Sequence, residues 1–196
     1  MQGDSPRRSD TSRVHQGRAG YTVIEALVVA GLIGVLAAVG AMVMPTALKA
    51  AKADGGLGQV SNILRVAREQ AISQRRNMIV AFNTPNQIVV SRVEVPGPGT
   101  TVLDMIYLEN AVTFKLFNNL PDTPDAFGNV SATYFGTATS LQFSSLGTFM
   151  DQNGFPLNGS VFVGRGTDTL SARAVTIFGP TALIREWRWN GLQWVN

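Results

Sequence analysis

The chain contains no cysteine. Disulfides and thiolate metal sites are therefore excluded. It contains one histidine, His15, near its N-terminus. Beyond that residue neither Ser-His-Asp catalysis nor an imidazole metal ligand is available. Charge is also sparse, at 15% of residues. Across residues 23–44 the only charged side chain is Glu25. The formal net charge of +3 is concentrated at the N-terminus, where Arg7, Arg8, Arg13 and Arg18 face only Asp4 and Asp10. Residues 21–196 then carry +1. Their balance gives no reason to expect a nucleic-acid partner, despite a sequence pI near 9.7.

What the chain has in abundance is one long apolar run. At about 1.5 Å per residue, residues 23–44 reach roughly 33 Å as a helix, enough to cross the hydrocarbon of a bilayer. A carboxylate near the start of such a helix costs about 3 kcal/mol in lipid, so Glu25 calls for a functional reason. Residues 1–20 are polar and hold no apolar core, unlike an ordinary secretory signal. The arginines before the run and the long polar remainder after it orient the N-terminus to the cytoplasm and the C-terminal domain outside.

The order Gly20-Tyr21-Thr22-Val23-Ile24-Glu25 leading into an apolar helix resembles the signal of type IV pilins and type II secretion pseudopilins. The resemblance implies a leader over residues 1–20 and a cut between Gly20 and Tyr21 by a prepilin peptidase. The same enzyme would methylate the new N-terminus at Tyr21. It places Glu25 where the family carries its assembly glutamate, which meets the N-terminal amine of a neighbouring subunit. It also implies storage in a bacterial inner membrane, with the C-terminal domain in the periplasm, and later assembly with other pilins or pseudopilins. Many major pilins have a C-terminal disulfide loop, so the absence of cysteine fits a minor pilin or a pseudopilin.

Residues 21–45 are expected to form the membrane half of one helix and residues 46–76 an amphipathic half. Gly31, Gly34 and Gly40 permit close helix approach. Pro45 lacks an N–H and is expected to kink or locally melt the helix. Three glycines within 55–58 cost about 3 kcal/mol relative to alanine, which predicts a break or bend there. From Gln59 on, Val60, Ile63, Leu64, Ala67, Ala71 and Ile72 fall on one face at helical spacing, and Arg65, Arg68, Glu69, Arg75 and Arg76 take the other. The run from Leu64 to Ile72, with its Ala-Arg-x-x-Ala-aliphatic order, resembles pseudopilins of the GspH/FimT type.

Residues 77–196 read as a β-sheet domain. Strands are expected over 78–82, 87–95, 105–108, 112–117, 141–143, 160–163, 172–178 and 182–189. Turns are expected at Thr84-Pro85-Asn86, Pro96-Gly97-Pro98-Gly99, Ser144–Gly147, Asp151–Gly154 and Gly179-Pro180, with a polar loop over 118–129. Leu141-Gln142-Phe143, Gly147, Asn153-Gly154 and the closing strands around Gly179, with Arg185, Trp187 and Trp194, also resemble the GspH/FimT C-terminal half. That family often has Gly-Arg where this chain has Gly179-Pro180. The expected fold class is α+β and pilin-like: a long N-terminal transmembrane helix packed on an antiparallel β-sheet domain.

Asp122, Asp125, Asp151 and Asn153 offer hard oxygen ligands for calcium, but the same residues are ordinary turn formers, and that reading is adopted. No carboxylate spacing supports glycoside hydrolysis. Arg185, Trp187, Arg188 and Trp189 interleave cations and aromatics as single-stranded nucleic-acid binders do. The plainer reading is an amphipathic strand with its tryptophans on the helix. The expected function is thus that of a minor pseudopilin, or a type IV pilus subunit, assembled into a filament for protein secretion. The alternative is a minor type IV pilin binding DNA for natural transformation. No enzymatic role, cofactor or metal is expected.

Overall fold

The computed structural model describes residues 21–196, so Gly20 and the expected leader lie outside the described residues. One helix, α1, runs Val23–Gln74 over 52 residues. The chain divides into two compact units that meet at Val43 and Met44. In the first, Val23–Met42 is long and apolar enough to cross a membrane, with mean hydropathy 2.4 and none of it buried. Helical backbone continues through Pro45. The expected melting is absent there, because the intact turns on either side outweigh one missing hydrogen bond.

In the second unit α1 presents a stripe of Ala53, Leu57, Val60, Leu64, Ala67 and Ala71, all fully buried. Their alternation of four and three residues keeps them on one side of a helix. Ile72, expected on this face, is instead exposed.

The expected break at Gly55-Gly56-Leu57-Gly58 is corrected: helical backbone continues through all four. A Cβ on Gly56 would lie 2.6 Å from Cγ1 of Val112 and 3.0 Å from its Cβ. Val112 is itself fully buried. Gly56 is therefore a contact point, and burial against Val112 offsets its poor helix propensity. A Cβ on Gly58 meets nothing within 4 Å. Gly58→Ala is accordingly expected to stabilise the chain by about 0.5–1 kcal/mol, while Gly56→Ala destabilises it by about 1–2 kcal/mol despite the same propensity gain. Urea midpoints of the two variants in detergent check this; equal shifts of the same sign would refute the packing role.

The single sheet expected from sequence is two. The first has the order β3-β2-β1-β6-β7, built from β1 (Met78–Asn83), β2 (Gln87–Val93), β3 (Thr100–Tyr107), β6 (Gln142–Phe143) and β7 (Phe149–Met150). The second has the order β11-β10-β9-β8-β4, built from β4 (Thr113–Phe114), β8 (Gly159–Gly164), β9 (Arg173–Phe178), β10 (Leu183–Trp189) and β11 (Trp194–Val195), with β5 (Thr133–Tyr134) also on β8. All the strand pairings are antiparallel. β3 begins five residues earlier than the alternation predicts. The two-residue strands β5, β7 and β11 are too short to leave a periodic signal.

The main core joins α1 to both sheets, through Met78, Val80, Phe143, Phe149, Val161, Val163, Val175 and Ile177. Phenylalanine rings run through it, with Phe82–Phe135 at 5.8 Å, Phe135–Phe149 at 5.6 Å and Phe143–Phe149 at 4.9 Å. A second cluster of Phe117, Phe162, Ala172, Ala174 and Trp194 packs against Leu116, Leu120, Trp187 and Trp189. Val161 and Val163 belong to the first cluster and Phe162 to the second, so β8 is buried on both faces. The segment read as a polar loop, 118–129, covers part of the second cluster: Pro121 accepts a hydrogen bond from the Trp194 indole at 2.8 Å.

Candidate functional site: the N-terminal glutamate and two carboxylate clamps

Thr22 caps α1. Its hydroxyl accepts the Glu25 backbone N–H at 3.3 Å, and its carbonyl accepts the Ala26 N–H at 3.2 Å. Thr-x-x-Glu is the capping-box order, in which the glutamate reaches back to the cap N–H. Here only the threonine half is made among the described residues. The Glu25 carboxylate has no ion pair among the described residues. It sits beside Val23, Ile24 and Leu27, each at least 67% exposed. An apolar surface open on every side, carrying one uncompensated carboxylate, calls for an apolar surrounding and a cation. Tyr21, the expected methylation residue, is exposed.

The Arg/Trp strand is arranged differently from the amphipathic expectation. In β10, Glu186 pairs with Arg65 at 3.0 Å and Arg188 pairs with Asp54 at 3.0 Å, both on α1. The helix-facing side of β10 is therefore the charged one. Trp187 and Trp189 point the other way, into the second cluster, and Trp189 meets Trp194 edge-on at 5.5 Å. The reading that placed the tryptophans on the helix is thus corrected. Alternation puts residues 185, 187 and 189 on one face but does not say which face looks inward.

Asp125 organises that outer face. Its side chain is 9% exposed and ion-pairs with Arg185. It also accepts the Thr176 hydroxyl at 2.5 Å and the Trp187 indole N–H at 3.2 Å. Of the four candidate nucleic-acid residues, Arg185 and Arg188 hold carboxylates of their own chain, and Trp187 and Trp189 are packed.

A second clamp, on Asp54, lies on the helix side. Arg173 is 4% exposed and donates to Asp54 at 2.7 Å, to the carbonyls of Leu170 and Ala172 at 2.8 and 2.9 Å, and to that of Ala50 at 3.3 Å. Asp54 thus ties α1 to β9 through Arg173 and to β10 through Arg188. Sequence reasoning passed over both residues. The signal was present: an arginine inside the apolar run 172–178, and an aspartate extending the buried helical spacing.

The four calcium candidates are not brought together. Asp122 caps its own loop, accepting from Thr123 at 2.7 Å and Gly128 at 2.8 Å. Asp151 accepts from Asn153 and Phe155, both at 2.9 Å. Among the described residues no three potential His, Cys, Asp or Glu ligands cluster. One half-buried carboxylate has a shifted affinity for its proton: hydrogen bonding from Arg92 holds Glu94 below the usual carboxylate range.

No family profile and no curated protein matches the chain. Solved structures do. The minor pseudopilin EpsH from the Type 2 Secretion System of Vibrio cholerae aligns over 70% of this chain and 97% of its own, at 11% identity and TM-score 0.46. The type IV minor pilin FimU of Pseudomonas aeruginosa aligns over 73% of this chain and 92% of its own, at 14% identity and TM-score 0.46. A second EpsH structure gives 15% identity and TM-score 0.43. These likenesses are too distant to transfer any residue's role. The class defined by the chain's own geometry is a long N-terminal helix, bare and apolar at its start, whose second half is built into an antiparallel β domain.

Proposed function

We propose that this chain is a pilin-like assembly subunit, a minor pseudopilin of a secretion or pilus machine. A prepilin peptidase removes residues 1–20 and methylates Tyr21. The apolar start of α1 holds the subunit in the inner membrane, with the β domain in the periplasm. The same helix later packs against its neighbours in a filament. Glu25 pairs with the N-terminal amine of an adjacent subunit and sets the register of assembly. The observation that carries this reading is Glu25 itself: a carboxylate with no ion pair among the described residues, in the first turn of a helix whose 20-residue apolar stretch is wholly unburied. An inert anchor gains nothing from that charge, whereas a subunit that must find an amine in an apolar surrounding does. DNA binding is not assigned, because Arg185 and Arg188 are already paired within the chain.

The test is the mass and N-terminus of the chain recovered from membranes with and without the peptidase. A methylated Tyr21 start that depends on the peptidase supports the reading; a chain that keeps Met1 beside an active peptidase refutes it. Glu25→Gln should leave processing and membrane retention intact while recovery in sheared filaments falls at least about tenfold, the equivalent of about 1.4 kcal/mol.

A further inference from the structure

The cations of the β domain fall into two sets. Arg65, Arg92, Arg173, Arg185 and Arg188 are each held by a carboxylate. Lys49, Lys52, Arg68, Arg75, Arg76, Lys115 and Arg165 have no such partner among the described residues, and three of these, Lys49, Lys115 and Arg165, converge. Lys49 and Arg165 line one open cleft of about 360 Å³, together with Ala111, Gly166, Thr167 and Asp168. Lys115 reaches the same place, since its ammonium donates to the Gly166 carbonyl. Arg165 is oriented by its Nε–H on the Asn110 carbonyl at 2.9 Å, and no hydrogen bond occupies its terminal nitrogens among the described residues. The one acid in the cleft, Asp168, turns Oδ1 inward to cap the Leu170 N–H at 3.0 Å. Lys49 is exposed, while Arg165 and Lys115 are half-buried, Lys115 also lying over the Phe117 ring at 5.0 Å, so three cations surround one partly engaged carboxylate.

The sequence places this cleft close to a bilayer. Lys49 follows Met42, the last residue of the apolar span, by seven residues. Even fully extended, seven residues reach only about 25 Å, and as helix about 10 Å. That short separation is the argument for a lipid occupant over any other anion, because the chain carries its own anionic surface to the site.

We infer that the cleft formed by Lys49, Lys115 and Arg165 binds the phosphodiester headgroups of anionic phospholipids in the membrane that holds the helix. The inference rests on the membrane reading given under the proposed function. Each cation contributes about fivefold to attraction by an anionic leaflet at low salt, and the attraction fades as salt shortens the screening length. Headgroup binding would hold the β domain down on the bilayer before assembly.

The chain's lack of cysteine makes the test direct. Thr167→Cys gives a single labelling site at the cleft, and Thr167 is exposed. The full chain, carrying a dye there, is placed in nanodiscs with nitroxide-labelled headgroups. One set is phosphatidylcholine alone; the other is rich in phosphatidylglycerol. Quenching is expected to be at least about twofold stronger with phosphatidylglycerol and to weaken with salt. Lys49→Glu with Lys115→Glu should remove the difference, and Lys115→Arg should keep it. Arg75→Glu with Arg76→Glu makes the same charge change just past the end of α1, about 37 Å along the helix from Lys49, and should leave the difference intact. Equal quenching in the two bilayers overturns the inference. So does an equal loss in the Arg75/Arg76 variant, which would mean net charge alone is read. A dye response to polyglutamate in phosphatidylcholine discs that matches the response to phosphatidylglycerol would assign the cleft to an acidic protein instead. Failure of the chain to enter either disc refutes the membrane reading itself, a separate result.

Discussion

Asp54→Ala is expected to cost about 3 kcal/mol, and Arg173→Met only about 1–2 kcal/mol, although the two residues form one ion pair. Burial decides the order. Arg173 is 4% exposed, while the Asp54 side chain is 38% exposed and also holds Arg188. Removing Asp54 leaves a buried guanidinium with only the carbonyls of Leu170, Ala172 and Ala50. Those three acceptors keep the cost near the lower end of the range for an orphaned buried charge. Removing Arg173 leaves a carboxylate that water and Arg188 both reach. Methionine also fills much of the arginine's apolar volume. The three tryptophans all lie in β10 and β11, so their fluorescence follows the second sheet during urea unfolding of the detergent-solubilised chain. If Arg173→Met proves the costlier change, the carbonyls alone satisfy the guanidinium and the clamp reading is wrong. The double variant should cost less than the sum of the singles, because the two residues share one interaction.

Gly179→Ala is expected to cost about 3 kcal/mol or more, at the upper end for overpacking. Added there, a Cβ would lie 2.4 Å from the Leu157 nitrogen, 2.6 Å from its oxygen and 2.7 Å from its carbonyl carbon. These are backbone atoms and cannot rotate away. Moving them would strain the bond from Leu157 N–H to the Phe149 carbonyl and the bond from Phe149 N–H to the Gly179 carbonyl, both 3.0 Å. The Gly179 N–H is itself bound by Asn158 at 2.8 Å. Gly179 thus sits where β7 of one sheet is tied to the β9–β10 turn of the other. Gly154 offers the contrast: it lies at φ +83° with nothing near its Cβ position, so Gly154→Ala should cost only about 1 kcal/mol from backbone strain. If the two substitutions cost the same, close approach is not what demands glycine at 179.

Much of the architecture was legible because it rests on local periodicity. The buried stripe of α1, the hairpin of β1 and β2, and the meander of β8 to β10 all follow from spacing that recurs over several residues. The break expected at 55–58 failed for the opposite reason. Propensity counts what glycine costs a helix and is blind to Val112, a contact more than fifty residues away. The Gly179 turn was visible beside Pro180, yet its steric reason was not, since Leu157 lies on a different strand connection. The second sheet escaped notice because its connections to the first run through two-residue strands.

The sequence by itself determined that the first turns of the helix are apolar throughout and that Glu25 stands alone among them. It also determined which side chains share a face on each long strand, because a fixed repeat of about 3.6 or 2 residues makes those relations local. Only the tertiary structure decided which face of β10 meets the helix, which glycines are contacts, and that Arg173, Arg185 and Arg188 are bound to carboxylates far away in the chain. Those are matters of packing between elements, where partners are chosen by shape and burial and leave no period in the chain.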